Sequence, residues 1–206
     1  LRRWTRMIEI ALDGGADIPT FESIHGKDAR VLHSRDLDIQ RFLDREALDR
    51  IATAAPAVQT RTVLLTGANG FLGRVLCLGW LERVAPLGGK VICLIRAGSD
   101  AAAKKRLDEV FEGVDAELEG HYRTLAAKHL EVLAGDIAEP RLGLTQEQWD
   151  RLAGEVDRIV HPGALVNHVL SYAHLFGPNV FGTAQLIRLA LTQRQKHFDF
   201  VSIGTN

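Results

Sequence analysis

The run Val63-Leu64-Leu65-Thr66-Gly67-Ala68-Asn69-Gly70-Phe71-Leu72-Gly73 constrains the fold more than any other part of the chain. Apolar, β-prone residues lead straight into a glycine-rich turn. The turn opens onto Arg74-Val75-Leu76-Cys77-Leu78-Gly79-Trp80-Leu81, which reads as a buried helix. Glycine also marks ordinary turns, but a strand, a glycine turn and a helix N-terminus in this order make a dinucleotide cradle. Gly67 lets the chain turn sharply as it leaves the strand. Gly70 has no Cβ, so a pyrophosphate can approach its backbone, and Gly73 lets the helix lie close on the sheet. The helix dipole adds about 0.3–1 kcal/mol for each phosphate charge it faces. The cofactor-binding residues expected here are Thr66, Gly67, Asn69, Gly70, Phe71, Leu72 and Gly73.

From Arg61 onward, strand and helix signals alternate. Strands are predicted at Thr62–Leu65, Lys90–Ile95, Leu130–Leu133, Arg158–Val160 and Phe198–Ser202. Helices are predicted at 71–84, 100–111, about 117–128, 145–152 and about 175–191. Ser99 or Asp100 caps the second of these, and Thr145 with Gln148 has capping-box spacing in the fourth. This alternation implies a parallel sheet covered on both faces, an α/β Rossmann-type doubly wound fold. A ligand would then sit outside the carboxyl ends of the strands. Ahead of this domain, Trp4, Met7, Ile8, Ala11 and Leu12 give residues 1–12 helical spacing, and Asp13–Pro19 reads as a linker. Asp36 to Ile51 is predicted as a second amphipathic helix, and Ala52–Ala57 as a link into the main domain. The expected division is 1–18, 19–60 and 61–206.

Composition narrows the partners. With 25 basic and 26 acidic residues the net charge is −1. No basic excess points to nucleic acid or an anionic membrane, and no apolar run is long enough to span a bilayer. Cys77 and Cys93 read as small buried residues rather than a disulfide framework, and the compartment expected is the cytosol. His161 and His168 straddle a Pro-Gly turn with no carboxylate or thiol to complete a set, so no metal site is expected.

The end of the second strand selects the nicotinamide cofactor. An enzyme that uses NAD places Asp or Glu there for the ribose 2′-hydroxyl. This chain has Ile95-Arg96-Ala97. A guanidinium grips a 2′-phosphate that a carboxylate would repel, so Arg96 argues for NADP(H); the alternative is a solvated loop charge. Lys104 and Lys105 read as a solvated helix face. Asp136, after the third strand, either accepts from the adenine amino group or caps its own turn. After the fourth strand, the small residues of His161-Pro162-Gly163-Ala164 let the backbone pass close to the nicotinamide-side ribose.

The three-residue first glycine step, preceded by Thr66, resembles the extended short-chain dehydrogenase/reductase superfamily. Further motifs sharpen the likeness: Ile95-Arg96-Ala97, His129–Asp136, Ala164-Leu165-Val166-Asn167-His168 and Leu175–Ala184. Together with the glycine turn and Pro19–Gly26, they resemble the thioester reductase domain of carboxylic acid reductases and the segment joining it to a carrier domain. The resemblance implies NADPH-dependent reduction of an acyl thioester, carried on phosphopantetheine, to a free aldehyde. The partners it implies are an upstream carrier domain and an adenylation domain of the same polypeptide. It puts Arg96 and Arg106 on the 2′-phosphate, Asp136 and Ile137 on adenine, and Pro162, Gly163 and Ala164 on ribose and nicotinamide. It also makes Ser202 catalytic as well as cofactor-binding. Ile203 departs from the Ser-Thr pattern, and neither Tyr122 nor Tyr172 has Lys four residues later. The expectation is therefore the cofactor-binding half of such a reductase, inactive by itself. Another extended reductase, such as a fatty acyl-CoA reductase, and a non-catalytic NADP(H)-binding module are the alternatives.

Overall fold

The computed structural model describes residues 18–27, 29–51, 59–113 and 115–202. The helix expected over 1–12, the Ala52–Ala57 link and the Ile203 departure lie outside these residues.

Five strands, β1 (Thr62–Thr66), β2 (Lys90–Ile95), β3 (Leu130–Ala134), β4 (Arg158–His161) and β5 (His197–Phe200), form one all-parallel sheet in the order β3-β2-β1-β4-β5. Leu65 of β1 is in register with Cys93 of β2 and Val160 of β4. The doubly wound fold read from the sequence is the one observed. Alternation along β1 divides the core. Val63 and Leu65 pack with Cys77, Leu81, Leu107 and Tyr122 on one face, and Leu64 packs with Leu152, Ile159 and Leu186 on the other. The first face is covered by α3 (Phe71–Val84), α4 (Asp100–Asp108) and α5 (Ala116–His129). The second is covered by α6 (Gln146–Glu155) and α8 (Gly182–Leu191). The Cys77 and Cys93 thiols are buried and free, with Sγ atoms 3.7 Å apart.

Asp157 staples the amino ends of three strands. Its Oδ2 accepts the Arg61 and Thr62 N–H groups at 2.8 Å each, its Oδ1 accepts from Arg194 at 2.7 Å, and its carbonyl accepts the His197 N–H.

Local chemistry sets most element ends. Ser99 caps α4 by accepting the Ala102 N–H, while Asp100 reaches across to accept the Ala134 N–H of β3. The Thr145–Gln148 capping box forms. The helix expected over Asp36–Ile51 is instead two 3₁₀ turns, Ser34–Leu37 and Ile39–Arg41, followed by α2 (Arg45–Ile51). Asp38 accepts the Gln40 N–H and Asp44 the Ala47 N–H, so each acidic side chain restarts the chain rather than letting one helix run through. The helix expected from Leu175 begins earlier, as α7 (Tyr172–Phe176), and widens into a π turn at Gly177–Phe181 before α8. Pro178 has no N–H to give the carbonyl four residues back, which disrupts the α pattern there. The helix after β2 ends at Asp108 rather than Phe111, and β5 begins one residue and ends two residues earlier than expected.

The segment ahead of β1 packs on the main domain at two places. α1 (Phe21–His25) and Phe42 pack on Phe176, Phe181 and Ala184, while Leu43 and Ala47 pack on Leu191. Among the described residues no helix is long and apolar enough to cross a membrane.

Candidate dinucleotide site

The carboxyl ends of β1 to β4 surround a cleft of about 170 Å³. Nine of the expected residues line it: Thr66, Gly67, Asn69, Arg96, Arg106, Asp136, Ile137, Gly163 and Ala164. Leu94, Ile95, Gly135, Leu165 and Pro178 complete the wall.

The glycine turn has no room for side chains at two of its three glycines. Gly67 has φ +63°, and a Cβ there would stand 2.7 Å from Gly163 Cα. A Cβ on Gly73 would stand 1.9 Å from the Gly67 carbonyl oxygen. Gly70 differs. It is the exposed N-cap of α3, and a Cβ would meet only the Gly67 oxygen, at 3.2 Å. The space in front of Gly70 is therefore open to a ligand, as a pyrophosphate cradle requires. Gly70, together with Phe71, Leu72 and Gly73 of the first turn of α3, is not among the cleft-lining residues. Phe71 is 83% exposed. Pro162 precedes the lining residue Gly163. Ser202 follows β5 on the exposed surface and is not part of the wall.

Two guanidinium groups belong to the cleft at the end of β2. Arg106, on α4, donates to the Arg96 carbonyl and so stands beside it. Lys104 is held by Asp108 at 2.6 Å and Lys105 faces Glu109 at 3.9 Å, both along the helix surface. Asp136 takes the turn-capping role weighed for it and also lines the cleft. Its Oδ1 accepts the Ala138 N–H at 3.0 Å, closing its own turn.

Sequence reasoning missed a buried polar relay behind the wall. Thr183 donates its hydroxyl to the Asn179 carbonyl at 2.7 Å, so it accepts from His161 Nε2 at 3.1 Å. His161 Nδ1 then accepts the Thr66 hydroxyl at 2.7 Å. Asn179 grips Leu165 from both sides, accepting its N–H at 2.7 Å and donating to its carbonyl at 3.0 Å. The imidazole is 1% exposed, and burial pushes its pKa down to about 4, so it is neutral near pH 7. The relay ties the end of β1 to the loop after β4. Its only trace in the sequence is a polar residue closing each of two apolar strands, Thr66 and His161. Among the described residues, no three His, Cys, Asp or Glu side chains cluster to hold a metal.

A five-stranded parallel sheet with a glycine cradle at its switch point defines a Rossmann-type dinucleotide-binding domain. The sequence profile of the NAD-binding family described as "Male sterility protein" matches residues 65–205, and the chain belongs to that family. It is similar to the carboxylic acid reductase of Segniliparus rugosus, 53% identical over 98% of this chain and 17% of that protein. The carboxylic acid reductase of Mycobacterium tuberculosis is 53% identical over 91% of this chain and 16% of its own length. The chain thus spans about a sixth of these relatives. Among solved structures, it resembles the reductase domain of a nonribosomal peptide synthetase from Mycobacterium tuberculosis (TM-score 0.73, 49% identity, 81% of this chain and 39% of that one). The terminal reductase domain of the myxalamid pathway follows at TM-score 0.60 and 30% identity, over 74% of this chain and 40% of that one.

Proposed function

We propose that this chain is the cofactor-binding part of an NADPH-dependent reductase that converts a phosphopantetheine-tethered acyl thioester to an aldehyde. The observation that carries the cofactor choice is the Arg96–Arg106 pair in the cleft, where an enzyme using NAD would present a carboxylate. Two arginines lining one cleft suit a 2′-phosphate, which a guanidinium can meet with bidentate, charge-assisted hydrogen bonds. The cradle fits the rest of the dinucleotide, because Gly67 and Gly163 leave backbone where side chains would block it. Bound NADPH supplies the hydride.

The chain's own residues position and shield. The backbone around Gly67–Gly70 and the N-terminus of α3 hold the pyrophosphate, and Asp136 and Ile137 flank adenine. Pro162, Gly163 and Ala164, held by the His161 relay, form the nicotinamide side. Ser202, beyond β5, is assigned to the carbonyl oxygen, where a hydroxyl stabilises developing negative charge. The thioester substrate, its delivery by a carrier preceding residue 18 and an adenylation domain in the same polypeptide are inferred from the similarity to carboxylic acid reductases. A reducing cytosol suits the two free buried thiols. The test follows NADPH absorbance in the polypeptide that contains this chain, supplied with an acyl-phosphopantetheine thioester. NADPH consumption with aldehyde release is expected, and NADPH binding without turnover would reject the catalytic reading.

A further inference from the structure

The segment that leads into β1 is anchored beside the cleft by a polar chain inside an aromatic cluster. His25, whose side chain is 1% exposed, closes α1. Its Nδ1 meets Asp36 Oδ2 at 3.2 Å and its Nε2 meets the Tyr172 hydroxyl at 3.3 Å. Phe21 and Phe176 flank the pair, with ring centroids 5.2 and 5.8 Å from the imidazole. Asp36 also accepts the His33 N–H, and Arg41 donates to the Asp36 and Ser23 carbonyls, so the segment is braced on itself before it reaches α7.

The seat of this strap and the wall of the cleft are made from the same two stretches of chain. A groove at the strap's edge is lined by Ile18, Pro19, Phe21, Ala138, Glu139 and Gly177. The neighbouring residues Asp136, Ile137 and Pro178 line the cleft. There is no slack between the two stretches, since a Cβ on Gly182 would stand 2.7 Å from the Ile137 carbonyl oxygen. A shift of the π turn that unseats the strap must therefore move Pro178 and Ile137.

We propose that residues 18–27 and 29–43 form a strap whose Asp36–His25–Tyr172 latch positions the adenine side of the cleft, so that strap seating and cofactor binding favour each other. His25 and Tyr172 are positioning residues, since they act through the π turn and the loop after β3. The coupling is reciprocal: whatever NADP⁺ contributes to seating the strap, the seated strap returns in NADP⁺ affinity. If the preceding polypeptide is a carrier, its last residues lead directly into this latch.

The proposal rests on the NADP(H) reading, and the test separates the two. Trypsin cleavage at Lys27, Arg30 and Arg35 reports strap opening, and cleavage at Arg123 on α5, on the other face of the sheet, reports general stabilisation. Saturating NADP⁺ should slow strap cleavage on the order of tenfold relative to cleavage at Arg123. Tyr172→Phe, which removes one hydroxyl and keeps the ring, should raise the Kd for NADP⁺ by a similar factor with little change in Tm. If the wild-type chain binds NADP⁺ but cleavage at the strap and at Arg123 slows equally, the coupling is refuted and the cofactor reading stands. The coupling also fails, with the cofactor reading intact, if Tyr172→Phe loosens the strap and binds NADP⁺ as tightly as wild type. A wild-type chain that does not bind NADP⁺ refutes both.

Discussion

Replacing His161 with Gln should flatten the acid limb of the stability curve. The imidazole is neutral in the folded chain because burial carries it from an ordinary 6.5 down to about 4. At 1.36 kcal/mol per tenfold, that displacement is worth about 3 kcal/mol. The folded pKa is depressed, so the unfolded chain takes up a proton first as pH falls. The contribution is fully present above pH 6.5 and drains away between 6.5 and 4. Other groups titrate in the same range, so the informative quantity is the difference between wild type and variant. Urea unfolding at a series of pH values from 7.5 to 4.5 should show the wild-type advantage shrinking by up to about 1.4 kcal/mol per pH unit below 6.5. Gln can donate and accept, so part of the relay survives and the variant should still fold. Parallel curves for the two proteins would refute a buried neutral His161.

Further outcomes follow from the site and the core. Arg96→Asp should weaken NADPH by more than about tenfold, because a charge-assisted contact worth roughly 1.5–3 kcal/mol is replaced by repulsion, and NADH should become the tighter ligand by calorimetry. Gly70→Val should abolish NADPH binding while the Tm holds within a few degrees. Gly73→Val should unfold the chain, since its Cβ would fall inside the Gly67 carbonyl; a Gly70→Val chain that binds normally would undo the cradle. Cys77 and Cys93 should stay silent to Ellman's reagent until the protein is denatured, because the contact with Cys77 and burial both push the Cys93 thiol pKa up and neither sulfur reaches solvent.

What the sequence makes legible is local. β2 at Lys90–Ile95 and α3 at Phe71–Val84 can be read because apolar residues and flanking glycines specify the same short-range structure. Residues 36–51 mislead because their hydrophobic spacing fits a helix while Asp38 and Asp44 each restart the chain. The π turn at Pro178 escapes because helical spacing does not record how a proline is accommodated. For Asp136 capping its own turn and lining the cleft are compatible in space, which a string of letters does not show. The His161 relay and the strap latch are beyond reach for a different reason. Their partners, Thr66 with His161 and His25 with Tyr172, lie 95 and 147 residues apart, and no periodicity connects them.

The central place of β1 bears on when the site comes into being. β1 pairs with β2 after a short crossover, but its other neighbour, β4, arrives only after both β2 and β3 have been made. Closing the loop from Thr62 to Asp157, which are 95 residues apart, costs about 4 kcal/mol of chain entropy, about 1 kcal/mol more than closing from Thr62 to Lys90. A partly folded chain that has joined β1, β2 and β3 thus carries the glycine turn with no Gly163 opposite it and no His161 behind it. A dinucleotide that needs both walls has nothing to grip at that stage. It cannot template the sheet, and it acts on the finished fold by slowing the chain's escape from it rather than by hastening its arrival.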